Sequence, residues 1–288
     1  MSNYVICTDS ACDIKPEILK EWNVYHRALN LRFTDSPEEY SNDSINPKEF
    51  YEKMRNGGIA KTSAVNVEEF CMLFESILEK GEDILHLGFS SGLSTTYNSA
   101  RLAAEHLAPK YPDRKIVTLD TLSASAGFGL LLYLTVEKKN SGANLDEAAE
   151  YAKGLVHKLC HWFTVDDLVY LKRGGRISST AAFVGNMLGI KPVLHMDDEG
   201  HLINMSKVRG RKTAVAALAD KYGELADDKE NGVVFISHAD CMSDVNMLEE
   251  ILKTRYGAKV TLVTDVGPVI GAHSGPGTLA LFFVGKER

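Results

Sequence analysis

The chain has 288 residues, of which 44% are hydrophobic and 25% charged, as expected for a globular protein of one large domain or two ordinary ones. The formal net charge of −7 argues against a surface for nucleic acid or anionic membranes. The five cysteines are scattered and odd in number, no signal peptide is visible, and no apolar stretch approaches the ~20 residues of a membrane helix. We therefore expect a cytoplasmic protein without stable membrane insertion.

Strands and helices alternate through the first half of the chain. Short runs rich in β-branched and aromatic residues predict strands, and apolar residues three and four apart predict helices. The predicted strands cover residues 4–8, 24–33, 83–89 and 115–119, and the predicted helices cover residues 15–22, 46–55, 68–80, 93–107, 125–139 and 145–159. The segment Lys61-Thr62-Ser63 falls between two of these helices, so we expect it in a loop. This alternation predicts an α/β domain with a largely parallel sheet.

The pattern changes after about residue 162. Two predicted strands at 193–196 and 202–208 flank Asp198-Glu199-Gly200 and read as a hairpin. Further strands at 232–237, 259–263 and 277–284 accompany helices at 212–222 and 245–256. The mixture of hairpin and βαβ signals predicts a second α/β domain with a mixed or antiparallel sheet. We therefore predict an N-terminal domain over residues 1–161 and a C-terminal domain over residues 162–288.

The predicted strand at 83–89 leads into GFSSG at 88–92, which has the G-x-S-x-G pattern of a nucleophile elbow. One hypothesis is therefore a serine hydrolase that uses Ser90. Asp265 and His273 follow in the order that such enzymes use. However, the sequence has no HGGG-type loop for an oxyanion hole, and too few strands precede Ser90 for the usual hydrolase sheet. The hydrolase remains the alternative hypothesis.

The same segment is rich in hydroxyls, with five among the seven residues 90–96, just before a predicted helix. Ser91 or Ser94 could cap that helix by accepting a backbone N–H. Capping uses one hydroxyl, and a helix N-terminus with several free donors suits an anion. Hydroxyls also close the strands that end at Thr8 and at Asp120-Thr121. Because ligands bind outside the carboxyl ends of parallel strands, these groups could converge on one crevice.

Several motifs, taken together, resemble the DegV family of bacterial fatty-acid-binding proteins. They occur in the order of the family pattern and cover nearly the whole chain. One departure is Thr95, because the family pattern usually has glycine after SGLS. The motifs are TDSACD at 8–13, KTS at 61–63, GFSSGLSTTYNSA at 88–100, DT at 120–121, YLKRGGRIS at 170–178, GIKPVL at 189–194 and GAHSGPGTLALFF at 271–283.

This resemblance implies two α/β domains with one long-chain fatty acid buried between them. It assigns the carboxylate of the fatty acid to Thr62 and Ser94, and it places His273 near that carboxylate. It also implies a carrier rather than an enzyme, which presents the fatty acid to a separate fatty-acid kinase that makes an acyl phosphate. Serine and threonine hydroxyls suit this role because they donate hydrogen bonds without adding a competing charge.

Other residues have weaker assignments. Arg173 and Arg176 flank Gly174-Gly175, which we interpret either as a solvated turn or as a cationic patch that docks the kinase. The apolar segment 126–136 and the pair Phe282-Phe283 could line the lipid tunnel, although ordinary core packing is the commoner role for any single residue of this kind. The sequence contains no H-E-x-x-H, Walker or dinucleotide-binding motif, so we expect neither a metal nor a cofactor.

Overall fold

The computed structural model describes residues 3–177 and 189–288, so Ser178, at the end of the segment 170–178, lies outside the described part. Thirteen strands form three sheets within the described residues. The strands are β1 (Tyr4–Asp9), β2 (Val24–Arg27), β3 (Asn30–Phe33), β4 (Glu39–Ser41), β5 (Ala60–Ser63), β6 (Asp83–Gly88), β7 (Ile116–Asp120), β8 (Leu159–Thr164), β9 (Ile190–Met196), β10 (Leu202–Arg209), β11 (Val234–His238), β12 (Val260–Asp265) and β13 (Leu279–Val284).

Three of the described helices begin at an asparagine whose side chain caps them. Asn66 and Asn144 each form a capping box with the glutamate three residues later. In the described part of the chain, no helix combines the length and the apolar character needed to cross a bilayer. The helices are α1 (Pro16–Glu21), α2 (Pro47–Arg55), α3 (Val67–Leu78), α4 (Thr96–Leu107), α5 (Ser125–Asn140), α6 (Leu145–Val156), α7 (Val169–Arg173), α8 (Arg211–Leu225), α9 (Met242–Tyr256) and α10 (Pro268–Ser274).

The first sheet is parallel throughout, with the strand order β2-β1-β6-β7. Strand β6 is buried along its whole length, as expected for a strand covered on both faces by helices. The predicted parallel sheet of the first half is therefore confirmed. Parallel strands bring their carboxyl ends to one edge, which places Asp9, Gly88 and Asp120 side by side.

Two predictions in this half were wrong. Residues 24–33 are not one strand, because the chain leaves the first sheet after Arg27 and β3 pairs with β4 and β5 in a separate antiparallel sheet. The separation is stabilised where the Leu29 N–H donates to Ser10 Oγ at 2.9 Å. Lys61-Thr62-Ser63 is not a loop, since it forms part of β5 and pairs with β3. A short polar edge strand such as β5 does not alternate between apolar and polar residues, so the sequence gives no pattern that predicts it.

The second sheet has six strands in the order β10-β9-β8-β13-β11-β12. Only β11 and β12 pair in parallel, and the other neighbours are antiparallel, so the predicted mixed sheet is confirmed. The predicted hairpin is also confirmed, since β9 and β10 pair across Gly200. Strand β8 spans the predicted domain boundary between residues 161 and 162, and that boundary stays a prediction.

The central strands of the second sheet are buried on both faces, and their side chains alternate between two apolar clusters. Ala280 and Phe282 of β13 face the cluster shared with the first sheet, and Leu281 and Phe283 face a second cluster built with α8 and α9. Helix α5 packs against β8, β11 and β13 on the first of these faces. The shared cluster therefore joins the two larger sheets, and the cavity described below opens within it.

Candidate functional site

A cavity of about 510 Å³ lies between the sheets, within the roughly 300–1,000 Å³ typical of small-molecule sites. Its wall comes from the loop after β6, from β5, from α10 and from the inner face of the second sheet. Most of that wall is apolar. The apolar contributors are Leu29, Ala64, Phe89, Leu93, Ala124, Phe163, Leu171, Met196, Leu202, Val266, Val269, Ile270, Ala280 and Phe282.

Thr62 and His273 meet at the wall of this cavity although 211 residues separate them. Thr62 Oγ1 lies 2.8 Å from His273 Nε2. Strand β5 presents the threonine, and the last turn of α10 presents the histidine just before Gly275 ends the helix at φ 83°. Glycine adopts a positive φ without steric cost, so the chain turns at Gly275 without strain. The predicted proximity of these two residues is thus observed as a direct hydrogen bond.

His273 is a neutral imidazole around neutral pH. Burial, and then the nearby Arg176 cation, lower the pKa of His273 to about 4. Its Nδ1 is buried and has no hydrogen-bond partner in the described residues, and it faces the α-carbon of Gly174. An N–H buried against a C–H would lack an acceptor, so we assign the proton to Nε2. Nε2 then donates to Thr62, which leaves the Thr62 hydroxyl proton free for a ligand.

Ser94 lines the same cavity from the loop between β6 and α4. Its Oγ accepts the Thr96 backbone N–H at 3.2 Å and lies 2.9 Å from Thr96 Oγ1. The predicted capping role is therefore confirmed for Ser94. When the Thr96 hydroxyl donates to Ser94, the Ser94 proton is free to donate into the cavity. Capping and ligand binding are thus compatible in one hydroxyl.

Thr95 occupies the position where the family pattern usually has glycine. Its backbone has φ −78° and ψ −2°, which any residue adopts, and its side chain is exposed and lines the cavity. The substitution therefore introduces no backbone strain into the loop.

The two arginines of the glycine turn have different environments. Arg176 is half-buried and lines the cavity, where its Nε donates to Leu93 O at 3.2 Å and its Nη1 donates to Gly174 O at 2.5 Å. No carboxylate among the described residues forms an ion pair with it. Arg173 is exposed, and its guanidinium lies 5.7 Å from the centre of the Tyr170 ring. Sequence reasoning grouped the two, because spacing within a turn does not determine which side chain points inward.

Ser90 is held away from the cavity by its own hydrogen bonds. It is fully buried, its hydroxyl donates to Gly200 O at 2.9 Å, and its Oγ accepts the Gly92 N–H at 3.2 Å. This contact joins the hairpin of the second sheet to the loop after β6. Asp265 lies 3.8 Å from His238, while His273 is bonded to Thr62. The described residues therefore do not assemble the nucleophile, base and acid of an elbow hydrolase.

The far wall of the cavity differs from the expectation for α5 and β13. Phe282 lines the cavity, but Phe283 lies in the other apolar cluster because successive strand residues face opposite sides. Helix α5 contributes Ser125, at its first position, and the preceding Ala124. Residues 126–136 do not line the cavity, and ten of the sixteen residues of α5 are core. Ordinary packing is thus the role of this segment.

Comparison with known proteins gives matches along the whole chain. The sequence model of a family described as "Uncharacterised protein, DegV family" matches residues 3–286. A DegV domain-containing protein of Clostridium perfringens is 42% identical over 290 aligned positions, which cover 100% of this chain and 99% of that protein. A DegV domain-containing protein of Streptococcus pyogenes is 34% identical, with 99% of both chains covered.

Solved structures show the same fold. A DegV lipid binding protein from Thermotoga maritima has a TM-score of 0.86 at 31% identity, with 99% of each chain covered. A DegV family protein from Thermus thermophilus, whose structure concerns fatty acid binding, has a TM-score of 0.87 at 28% identity, covering 98% of this chain and 99% of that one. DegV of Bacillus subtilis, a fatty acid binding protein, has a TM-score of 0.85 at 26% identity, covering 99% and 100%. The protein therefore belongs to the DegV family.

Proposed function

We propose that this protein buries one long-chain fatty acid in the cavity and that the Thr62 and Ser94 hydroxyls hold its carboxylate, with His273 beside it supporting Thr62 through their hydrogen bond. The main support is that these side chains line a mostly apolar cavity. Arg176 lines the same cavity and has no acidic partner in the described residues. Arg176 contacts Leu93, next to Ser94, and Gly174, which packs on His273. Donors and cation therefore form one connected polar centre that suits a carboxylate.

The energetics favour a long apolar ligand with one charged end. A chain of ~14 methylenes gains ~0.8 kcal/mol for each buried CH₂, or about 11 kcal/mol before ordering costs. A carboxylate left bare in such a cavity would be costly, and the Thr62 and Ser94 hydroxyl donors with the Arg176 cation offset that cost. The neutral state of His273 agrees with a role as the hydrogen-bond donor that orients Thr62, rather than as an acid.

The relatives support the same ligand class. The Thermus thermophilus and Bacillus subtilis proteins bind fatty acid, and the Thermotoga maritima protein binds lipid. Each covers nearly all of this chain, so the comparison applies to the cavity as a whole.

We further propose that the protein is a carrier and presents the carboxylate to a separate fatty-acid kinase, with Arg173 in the docking surface. The hydroxyl of Ser90, the candidate nucleophile, donates its proton to the Gly200 carbonyl. The hydroxyls of Thr62 and Ser94 bind a carboxylate without reacting with it. The exposed Arg173 offers a cation outside the cavity for an acidic partner surface. All five cysteines are free thiols, which supports a cytoplasmic setting where ATP is available to the kinase.

Native mass spectrometry of freshly purified protein tests the carrier function. We expect one fatty acid per chain, released by organic extraction and restored by added palmitate or oleate. Protein that carries no fatty acid and also fails to bind added palmitate or oleate would refute the proposal. An assay with p-nitrophenyl acyl esters accompanies it, and we expect no turnover above background. Turnover that disappears in Ser90→Ala would favour the hydrolase.

A further inference from the structure

A second polar centre interrupts the apolar wall of the cavity. Ser125, the first residue of α5, and Ser237 of β11 both line the cavity, and their Oγ atoms lie 2.9 Å apart. Ser237 is 0% exposed and Ser125 is 6% exposed, so neither hydroxyl reaches bulk solvent. These two hydroxyls, which we call the serine pair, are held by different parts of the chain, 112 residues apart.

A buried carboxyl group supports the serine pair from behind. Ser125 Oγ is hydrogen-bonded to Asp13 Oδ2 at 2.5 Å, and Asp13 is 5% exposed. Its other oxygen, Oδ1, faces Gly267 at the start of α10. Asp13 and Ser125 both adopt left-handed backbone conformations, with φ 52° and 54°, which non-glycine residues seldom do. Strain of this kind persists only where the surroundings hold it, and it concentrates at functional sites.

The serine pair is distinct from the polar centre at Thr62 and His273, and α10 runs from one to the other. The Gly267 end of α10 abuts Asp13, since a β-carbon at Gly267 would lie 2.5 Å from Asp13 Oδ1. The other end carries His273, bonded to Thr62. Six residues of helical rise separate the two ends by roughly 9 Å. A ligand whose carboxylate lies at His273 therefore passes the serine pair some way along its chain.

Among the described residues, the strand neighbours of Ser237 on the cavity side are apolar. In the second sheet, Ser237 is paired with Ala280, which is in turn paired with Phe163, and both neighbours line the cavity. A plain methylene chain would leave the hydroxyls facing groups that neither donate nor accept. The pair keeps its own hydrogen bonds in that case, and its remaining hydrogen-bonding capacity toward the cavity stays unused.

We propose that the serine pair is a binding site for a hydroxyl group carried part-way along the acyl chain, so that the preferred ligands include hydroxylated long-chain fatty acids. This inference rests on the proposed fatty-acid-binding function and extends it to the ligand chemistry. A hydroxyl both donates and accepts, so it complements Ser237 whichever of the two carries the shared proton. The apolar wall on either side then accommodates the methylenes that flank the hydroxyl.

Calorimetric titration of delipidated protein tests the site, with stearate compared against stearates that carry one hydroxyl at successive positions. We expect one group of neighbouring positions to bind about five- to tenfold more tightly than stearate, the effect of one neutral hydrogen bond or slightly more. Ser237→Ala should abolish that preference while stearate binding remains. Ser125→Gly, which removes the hydroxyl and tolerates a φ of 54°, should do the same.

Ser123→Ala is the matched control, because Ser123 is a buried serine that does not line the cavity and whose hydroxyl donates to Thr121 O at 2.9 Å. It should leave the ratio of hydroxystearate to stearate affinity unchanged. The inference is overturned if stearate binds and no isomer binds more tightly, or if the preference survives Ser237→Ala. A protein that binds neither stearate nor any isomer would instead overturn the fatty-acid function itself, and the two failures are thereby distinguished.

Discussion

Gly174 determines where His273 sits, and an alanine there should damage the carboxylate site without straining the backbone. Gly174 has φ −72° and ψ −14°, which alanine adopts freely. Its added methyl carbon would lie 2.2 Å from His273 Nδ1, well inside the ~3.5 Å of an ordinary contact. The imidazole must therefore move by about 1 Å or more, which would stretch the 2.8 Å hydrogen bond to Thr62 beyond the hydrogen-bond limit.

The expected effect is a loss of fatty-acid affinity. In the proposed complex the Thr62 hydroxyl, oriented by His273, donates to the carboxylate. A hydrogen bond to a charged group contributes roughly 1.5–3 kcal/mol, so displacing His273 and with it the orientation of Thr62 should weaken palmitate binding by about tenfold or more. Gly175→Ala is the control, because Gly175 has φ 70° and a β-carbon there would meet nothing within 4 Å. That variant should lose about 1 kcal/mol of stability and keep its affinity.

Calorimetry on delipidated protein measures the affinity, and thermal unfolding checks that both variants are folded. A double-mutant cycle sharpens the test: in a His273→Ala background, Gly174→Ala should have little further effect, since the group it displaces is gone. The reasoning fails if folded Gly174→Ala binds palmitate as tightly as the wild type. It also fails if the two substitutions are simply additive.

Three further predictions concern the same centre. Ser94→Ala should weaken palmitate binding about tenfold and weaken binding of the matching fatty alcohol less, whereas Ser90→Ala should do little to either; equal losses for acid and alcohol would contradict a carboxylate at Ser94. Because burial lowers the pKa of His273 to about 4, the imidazole stays neutral and affinity should be flat between about pH 6 and pH 8; tightening as pH falls through about 6.5 would indicate an ordinary, protonating histidine. Arg173→Glu should reduce acyl-phosphate production by a fatty-acid kinase with fatty-acid affinity intact, whereas Arg176→Glu should lower the affinity itself; the opposite pattern would exchange their roles.

Local patterns in the sequence were sufficient for the larger architecture. Alternating strands and amphipathic helices predict the parallel first sheet, and the Asp198-Glu199-Gly200 turn predicts the hairpin of the second. These features depend on residues close together in the chain, where burial periodicity and turn chemistry act directly. The grouping of Thr62, Ser94 and His273 came instead from the resemblance of the motifs to the DegV family.

Long-range packing decided what the sequence left open. The KTS segment forms a strand because β3 is available to pair with it, and Val24–Phe33 divides between two sheets because Ser10 binds the Leu29 backbone. Whether Ser90 is a nucleophile depended on the Gly200 carbonyl, which lies 110 residues away. Contacts of this kind form between segments whose separation in sequence carries no local signal.

The polar centre of Thr62, Ser94, His273 and Arg176 shows most clearly what the sequence determines and what the tertiary structure adds. By itself, the sequence determined which hydroxyls, imidazole and arginines are present and which turns and helix ends carry them. Only the tertiary structure decided that Arg176 faces the cavity while Arg173 faces solvent, and that Gly174 leaves room for His273. The physical reason is that side-chain direction, burial and the loss of water around a charged group depend on what packs against it from distant parts of the chain.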